Sequence, residues 1–170
     1  YVVKLGSEGA HLWSTYLGGV NAEEVYGIAV DGSGSCYVTG LTYSNDWTFE
    51  GWDTIFNDGL STSTDGYVVK LTGAGTIAWS SYLGGSASDY GRGIAVDTEG
   101  ANVWATGYTD SADFIVTGWQ TVYGGNIDGF VTKIMHATSV GNLQVTLTPS
   151  GAVLAGAKWR RVSTSTWLDS

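Results

Sequence analysis

Apolar residues along this chain come in short bursts of four to seven, separated by polar, glycine-rich links. In the best-formed stretch the bursts are GIAV at 27–30, CYVTGLT at 36–42, GYVVKL at 66–71 and IAWSSYL at 77–83. These predict four strands, denoted a, b, c and d. The apolar positions are often consecutive (Val68 and Val69, Ile94 to Val96) instead of strictly alternating, as in sheets covered on both faces. The a–b link, DGSGS, and the c–d link, TGAG, have hairpin length and turn residues. The b–c link over 43–65 and the d–a link over 84–92 are longer.

The phrase repeats. Residues 1–31 and 67–97 are identical at 17 of 31 positions, including YVVKL, the YLGG that ends strand d, and GIAVD. The second copy supplies a at 93–96, b at 103–109 and c at 129–134, after which MHATSVGN stands where strand d belongs. Residues 1–5 and 12–17 supply a c and a d at the other end. The order is therefore c-d, a-b-c-d, a-b-c. Tandem four-stranded antiparallel units of roughly 65 residues predict an all-β fold, a fragment of a β-propeller. A β-sandwich of two related halves is the competing architecture. With 26 glycines, one proline and 22 aromatic residues, the composition favours short strands and tight turns over helices.

In sequence order, DGYVVKL, WSSYLGG, GRGIAVD and ATGYT resemble the bacterial SBBP β-propeller repeat, as do the b–c segments GWDTIFNDG and GWQTVYGGNIDG. The resemblance covers residues 1–134. It implies a propeller and an exported or surface bacterial protein, and it transfers no catalytic motif. Residues 142–170 match neither copy. Leu143, Val145 and Leu147 alternate with polar residues, a turn follows at 149–151, and further strands are expected near Trp159 and Trp167. This stretch resembles the start of a PEGA-like β-sandwich module. The expected organisation is propeller blades over 1–134, a linker over 135–141 and a truncated sandwich module over 142–170.

Charge is divided unevenly. Residues 1–134 carry 15 acids against Lys4, Lys70, Arg92 and Lys133, whereas 142–170 carry three bases and one acid. A surface this acidic disfavours nucleic acid and anionic membranes. No apolar run reaches the length of a membrane span. Cys36 is the single cysteine, which leaves no internal disulfide, and it reads as a small buried hydrophobe. His11 and His136 have no partners in sequence for a triad or a zinc site. Asp31 and Asp97 open Asp-x-x-Gly turns and read as caps.

In an antiparallel meander the b–c and d–a links share one end of the sheet, so most of the acids gather there with several aromatics. Trp47, Phe49, Tyr90 and Phe114 are the candidate ligand contacts, for a glycan or a protein. Asp46, Asp53, Asp58, Asp110 and Asp113 are the candidate ligands for weakly held calcium, although the spacing of a dedicated calcium loop is absent. Trp52 and Trp119 recur in both copies and are expected to be buried loop anchors. Trp47 lacks a tryptophan counterpart and is expected to be exposed. The reading is a structural or binding module with no catalytic residues and no required cofactor, partnered by other blades or by self-association. The alternative is a glycosidase-like enzyme using a carboxylate pair on the same face.

Overall fold

The computed structural model describes residues 1–56, 63–115 and 117–135, together with the backbone of 158–159 and 168–169. Every regular element among them is a β-strand. The chain divides into two units, Tyr1–His136 and Ala137–Ser170. In the first, β1 (Val2–Leu5) pairs with β2 (His11–Thr15). Strands β3 (Glu23–Val30), β4 (Cys36–Thr42), β5 (Asp65–Leu71) and β6 (Ile77–Leu83) form an antiparallel meander in that order. Strands β7 (Asp89–Val96), β8 (Asn102–Thr109) and β9 (Asp128–Met135) form a third, three-stranded sheet. This is the c-d, a-b-c-d, a-b-c order that the repeat predicts. In the second unit, β10 (Lys158–Trp159) pairs antiparallel with β11 (Leu168–Asp169). The strand expected over 143–147 lies outside the described residues.

Carboxylates close the a–b hairpins. Asp31 Oδ1 accepts from the backbone N–H groups of Ser33 (2.9 Å) and Ser35 (3.0 Å) and from the Ser33 hydroxyl (2.6 Å). Asp97 accepts from Ala101 N (2.8 Å) and Asn102 N (3.1 Å). Gly34 and Gly100 take the left-handed position of these two turns, with φ of 79° and 69°. Burial alone would raise the Asp31 pKa, but the hydrogen bonds from Ser33, Ser35 and Tyr37 outweigh it and hold the carboxyl below its ordinary value.

The three sheets stack face to face through two apolar layers. Val2 and Leu17 from the first sheet and its outgoing link pack on one face of the second, against Cys36, Val38, Tyr67, Val69 and Leu71. The opposite face, with Tyr37, Val68, Trp79 and Leu83, packs on Val103, Ala105, Phe130 and Ile134 of the third. The middle sheet is covered on both faces, which is why its strands are apolar at consecutive positions. The second and third sheets approach most closely along β3 and β7, the a strands, as radial blades converge on an axis.

Each a strand begins four residues before the GIAV that marks it in sequence, and a bulge explains the difference. The β3–β4 register slips between Val25 and Gly27, and the β7–β8 register slips between Gly91 and Gly93. The extra residues are Tyr26 and Arg92, at equivalent positions of the two copies. A Cβ on Gly40 of β4 would collide with the Glu24 carbonyl, and one on Gly107 of β8 with the Tyr90 carbonyl. The Thr-Gly step of strand b is therefore what lets the bulged a strand lie against it. Gly107→Ala is expected to lower stability by at least about 2 kcal/mol, measured as a shift in the urea midpoint. An unchanged midpoint would show that the bulge relaxes freely.

Candidate functional site

The long links do meet at one end of the sheets, and there the d–a links cross from one blade to the next. Each crossing is held by a Thr-x-Ser-x-Asp-aromatic segment that follows strand b, over 42–47 and 109–114. Thr42 and Thr109 hydroxyls accept from the N–H groups of Ser44 and Ser111, at 2.9 and 2.8 Å. Ser44 Oγ accepts from Asn21 N and Ser111 Oγ from Ala87 N, both at 2.8 Å. Asp46 Oδ1 accepts from Val20 N (3.2 Å), and Asp113 Oδ1 from Ser86 N (2.9 Å) and its hydroxyl (3.1 Å). Backbone bonds from Tyr43 N to Ala22 O and from Asp110 N to Ser88 O complete each clamp. Both glycines of the Leu-Gly-Gly signature are used. A Cβ on Gly19 or Gly85 would overlap the Asp46 or Asp113 carboxylate, and one on Gly18 or Gly84 that of Glu23 or Asp89.

This geometry gives several of the candidate residues a structural role. Trp47 is half-buried, edge-on to Tyr67 with ring centroids 4.9 Å apart, and its Nε1 donates to Thr42 Oγ1 at 3.1 Å. The expectation of an exposed Trp47 is thus corrected, because its counterpart is Phe114, which packs in the same way on Phe130 at 4.9 Å. Asp46 and Asp113 hold backbone N–H groups. Asp53 caps Ile55 N (3.0 Å), and its own N–H donates to Ser81 Oγ at 2.9 Å. Phe49 exposes its ring, while its backbone exchanges bonds of 2.7 Å with Ser80. Asp110 is exposed. Asp58 lies outside the described residues. No three His, Cys, Asp or Glu side chains group as a metal site among the described residues. Cys36 is buried, and burial pushes its thiol up; His136 lies outside the described residues, and His11 is exposed.

The expectation for the recurring tryptophans is also corrected. Residues 49–53 lie along β6, and Trp52 packs edge-on to Trp79 at 5.8 Å yet stays 55% exposed. Trp119, its equivalent, is 99% exposed. The reason is the strand beneath. Trp52 has β6 to lie on, whereas among the described residues no strand pairs with the outer edge of β9. A cavity of about 480 Å³ opens there, lined by Ile115, Trp119, Val122, Tyr123, Phe130 and Val131.

Sequence reasoning singled out Tyr90 as a ligand contact but passed over the group that surrounds it. Arg92 lies 3.9 Å from the ring centroid of Tyr26 and 5.0 Å from that of Tyr108, and its Nη2 donates to the Tyr108 hydroxyl at 2.6 Å. Tyr90 stacks on Tyr108 at 4.4 Å, and the Tyr26 hydroxyl donates to Glu24. The available signal was the slot before GIAVD, which differs between two otherwise similar copies.

Asp89, buried where the d–a link enters β7, differs from the capping acids. Its Oδ2 accepts from Gly85 N (2.9 Å) and Ser111 Oγ (2.8 Å), but burial dominates and pushes its carboxyl above the ordinary range. The folded state therefore binds this proton more tightly than the unfolded chain. Its contribution favours folding once the carboxyl is protonated and fades as pH rises through the raised pKa. Asp89→Asn is expected to flatten the fall in stability above about pH 4, measured as urea midpoints across a pH series. A variant curve parallel to the parent's would remove Asp89 as the cause.

The SBBP β-propeller repeat family matches the chain twice, over residues 12–46 and 78–115. No curated protein matches it. Each matched segment runs from strand d through the crossover and strands a and b, and takes in the clamp acid, Asp46 or Asp113. The chain is thus similar to the SBBP repeat over the two segments that carry the crossover from one β-propeller blade to the next.

Proposed function

We propose that this chain is a non-catalytic scaffold and binding module of an exported bacterial protein, and that its two end faces stack on further blades of the same repeat. Equivalent residues carry the reading. Val68 of β5 is fully buried by the third sheet, whereas Val131, its equivalent in β9, is 73% exposed. Tyr82 is fully buried, whereas Tyr16 is 91% exposed. Val3 and Leu5 of β1 are exposed where Val69 and Leu71 are buried. Each uncovered residue is one that the middle blade buries. The covering surface is therefore a blade, joined head to tail, an arrangement that closes a ring or continues as a filament.

The long-loop end is the binding face in this reading, with Phe49 among its exposed aromatics. Asp46 and Asp113 already satisfy backbone N–H groups, which supports a scaffold over a catalytic carboxylate pair. Export and surface location rest on the resemblance to the repeat family. No helix of the described residues is long and apolar enough to cross a membrane. For residues 142–170 the proposal remains a β-sandwich module. Weak calcium binding at the acidic end also belongs to the proposal; millimolar calcium is expected to raise the melting temperature and chelator to reverse it. A melt indifferent to both would remove calcium.

The stacking proposal is tested by association. The chain is expected to self-associate at micromolar concentration, and Val131→Lys to weaken this by about tenfold or more through loss of one buried valine and burial of a charge. Light scattering that shows a stable parent monomer would overturn it.

A further inference from the structure

A β-bulge turns one side chain away from the alternation of its strand, and here two adjacent blades use the same device at the same place. Tyr26 and Arg92 are the extra residues of β3 and β7, on the a strands where the two sheets come closest. The backbone around them is fixed by the same parts in both copies. Gly27-Ile28-Ala29-Val30 and Gly93-Ile94-Ala95-Val96 follow, and Gly40 and Gly107 stand opposite. The aimed side chain is not fixed, being a phenol in one copy and a guanidinium in the other. A constant mount with a variable side chain separates this position from the clamp, where both mount and side chain recur.

The side chains converge. The Arg92 guanidinium lies 3.9 Å from the Tyr26 ring centroid, with Tyr108 and Tyr90 at 5.0 and 5.9 Å. Its Nη2 is directed by the Tyr108 hydroxyl at 2.6 Å. A guanidinium is always charged in a protein, so the bond to Tyr108 serves to orient it. Arg92 is exposed, Tyr26 is 37% exposed, and Tyr90 and Tyr108 are half-buried. Tyr26 is itself steered by its hydroxyl bond to Glu24. A stacked guanidinium with its orientation fixed loses little freedom when it pairs with a planar carboxylate, and its remaining N–H groups form the fork that such a group accepts.

We propose that Tyr26, Arg92, Tyr90 and Tyr108 form a binding site for a sugar ring that carries a single carboxylate, as a uronic acid does. The guanidinium takes the carboxylate, the tyrosine rings take the C–H face of the sugar, and Glu24 accepts from a ring hydroxyl. The strongly acidic charge of the first unit selects against polyanions, since each further negative group on the ligand is repelled. One acidic sugar on an otherwise neutral glycan fits that field. The site rests on the reading of the chain as a binding module; Tyr90 and Tyr108 share the outer face of the third sheet with Val131, so association is read alongside binding.

The chain is titrated by calorimetry with glucuronic acid, glucose, benzoate and acetate, and the association state of each sample is read by light scattering. Glucuronic acid is expected to bind in the millimolar range, with glucose and acetate weaker by about tenfold or more. Arg92→Gln should abolish binding, and Arg92→Lys, which keeps the charge but loses the fork, should weaken it by at least about threefold. Tyr26→Leu tests the platform and is expected to weaken binding while leaving Arg92 in place. Unchanged thermal melts identify the variants that remain folded. No binding by glucuronic acid at roughly 10 mM, or equal binding by parent and a folded Arg92→Gln, would overturn the site. Binding of benzoate without glucuronic acid would overturn the assignment to a sugar. Loss of binding with association intact would leave the scaffold reading standing.

Discussion

The placement of one blade against the next depends on how the chain satisfies its backbone where it leaves one sheet and enters another. A crossover has no ladder partner for its N–H groups, and an unpaired group near the core is costly. Here a serine hydroxyl and an aspartate carboxylate from the incoming blade take those donors, at Asn21 and Val20 in one crossing and at Ala87 and Ser86 in the next. The acceptors sit on the blade being entered, so the link is fixed to the sheet whose angle it has to set. The apolar layers on either side of the middle blade supply the attraction between sheets, while the clamp fixes the geometry in which that attraction acts.

This use of oxygen acceptors accounts for part of the acidity of the first unit. Asp31 and Asp97 close hairpins, Asp46 and Asp113 hold crossings, and Asp53 caps a loop. Carboxylates that accept hydrogen bonds favour their charged form, which is why Asp97 (chiefly from the Asn102 side chain), Asp31 (chiefly from the Ser33 hydroxyl) and Asp113 (chiefly from Ser86 N–H) all lie below the ordinary carboxyl value. Charge counted along the sequence as a candidate calcium surface is thus partly internal scaffolding. Asp89 departs from the pattern because its deeper burial outweighs the bonds it accepts.

In the middle blade strands b and d were legible to the residue, over 36–42 and 77–83, because each follows a short hairpin link. Elsewhere d, expected over 12–17, is found over His11–Thr15, and b, expected over 103–109, is found over Asn102–Thr109. Strand a was legible only from Gly27 onward, since Tyr26 and Arg92 interrupt its pattern and the bulge that carries them is a feature of pairing, not of composition. Recurrence misjudged two tryptophans for the opposite reason. Identity between Trp52 and Trp119 implied a shared environment, but environment depends on the strand beneath, and among the described residues only Trp52 has one. Trp47 and Phe114 were separated because they differ in identity, although both are aromatics placed after Ser-x-Asp and both pack on the ring of strand c.

Recurrence therefore has to be read by chemical class and by contact before it can sort scaffold from site. Positions where class, contact and mount all repeat, such as the clamp, belong to the blade. Positions whose counterparts the middle blade covers more fully, such as Trp119 and Val131, carry the proposal that another blade fits there. A third class remains, in which the mount repeats and the side chain changes. Within one chain, two blades fold on nearly the same backbone instructions, so a difference at a protected, repeated bulge is not required by the fold of either. Tyr26 and Arg92 meet this criterion, and they are brought into mutual contact at the inner edges of neighbouring blades. A tandem repeat can thus vary one aimed position per blade without disturbing the clamp, and adjacent variable positions combine into a surface that no single blade specifies.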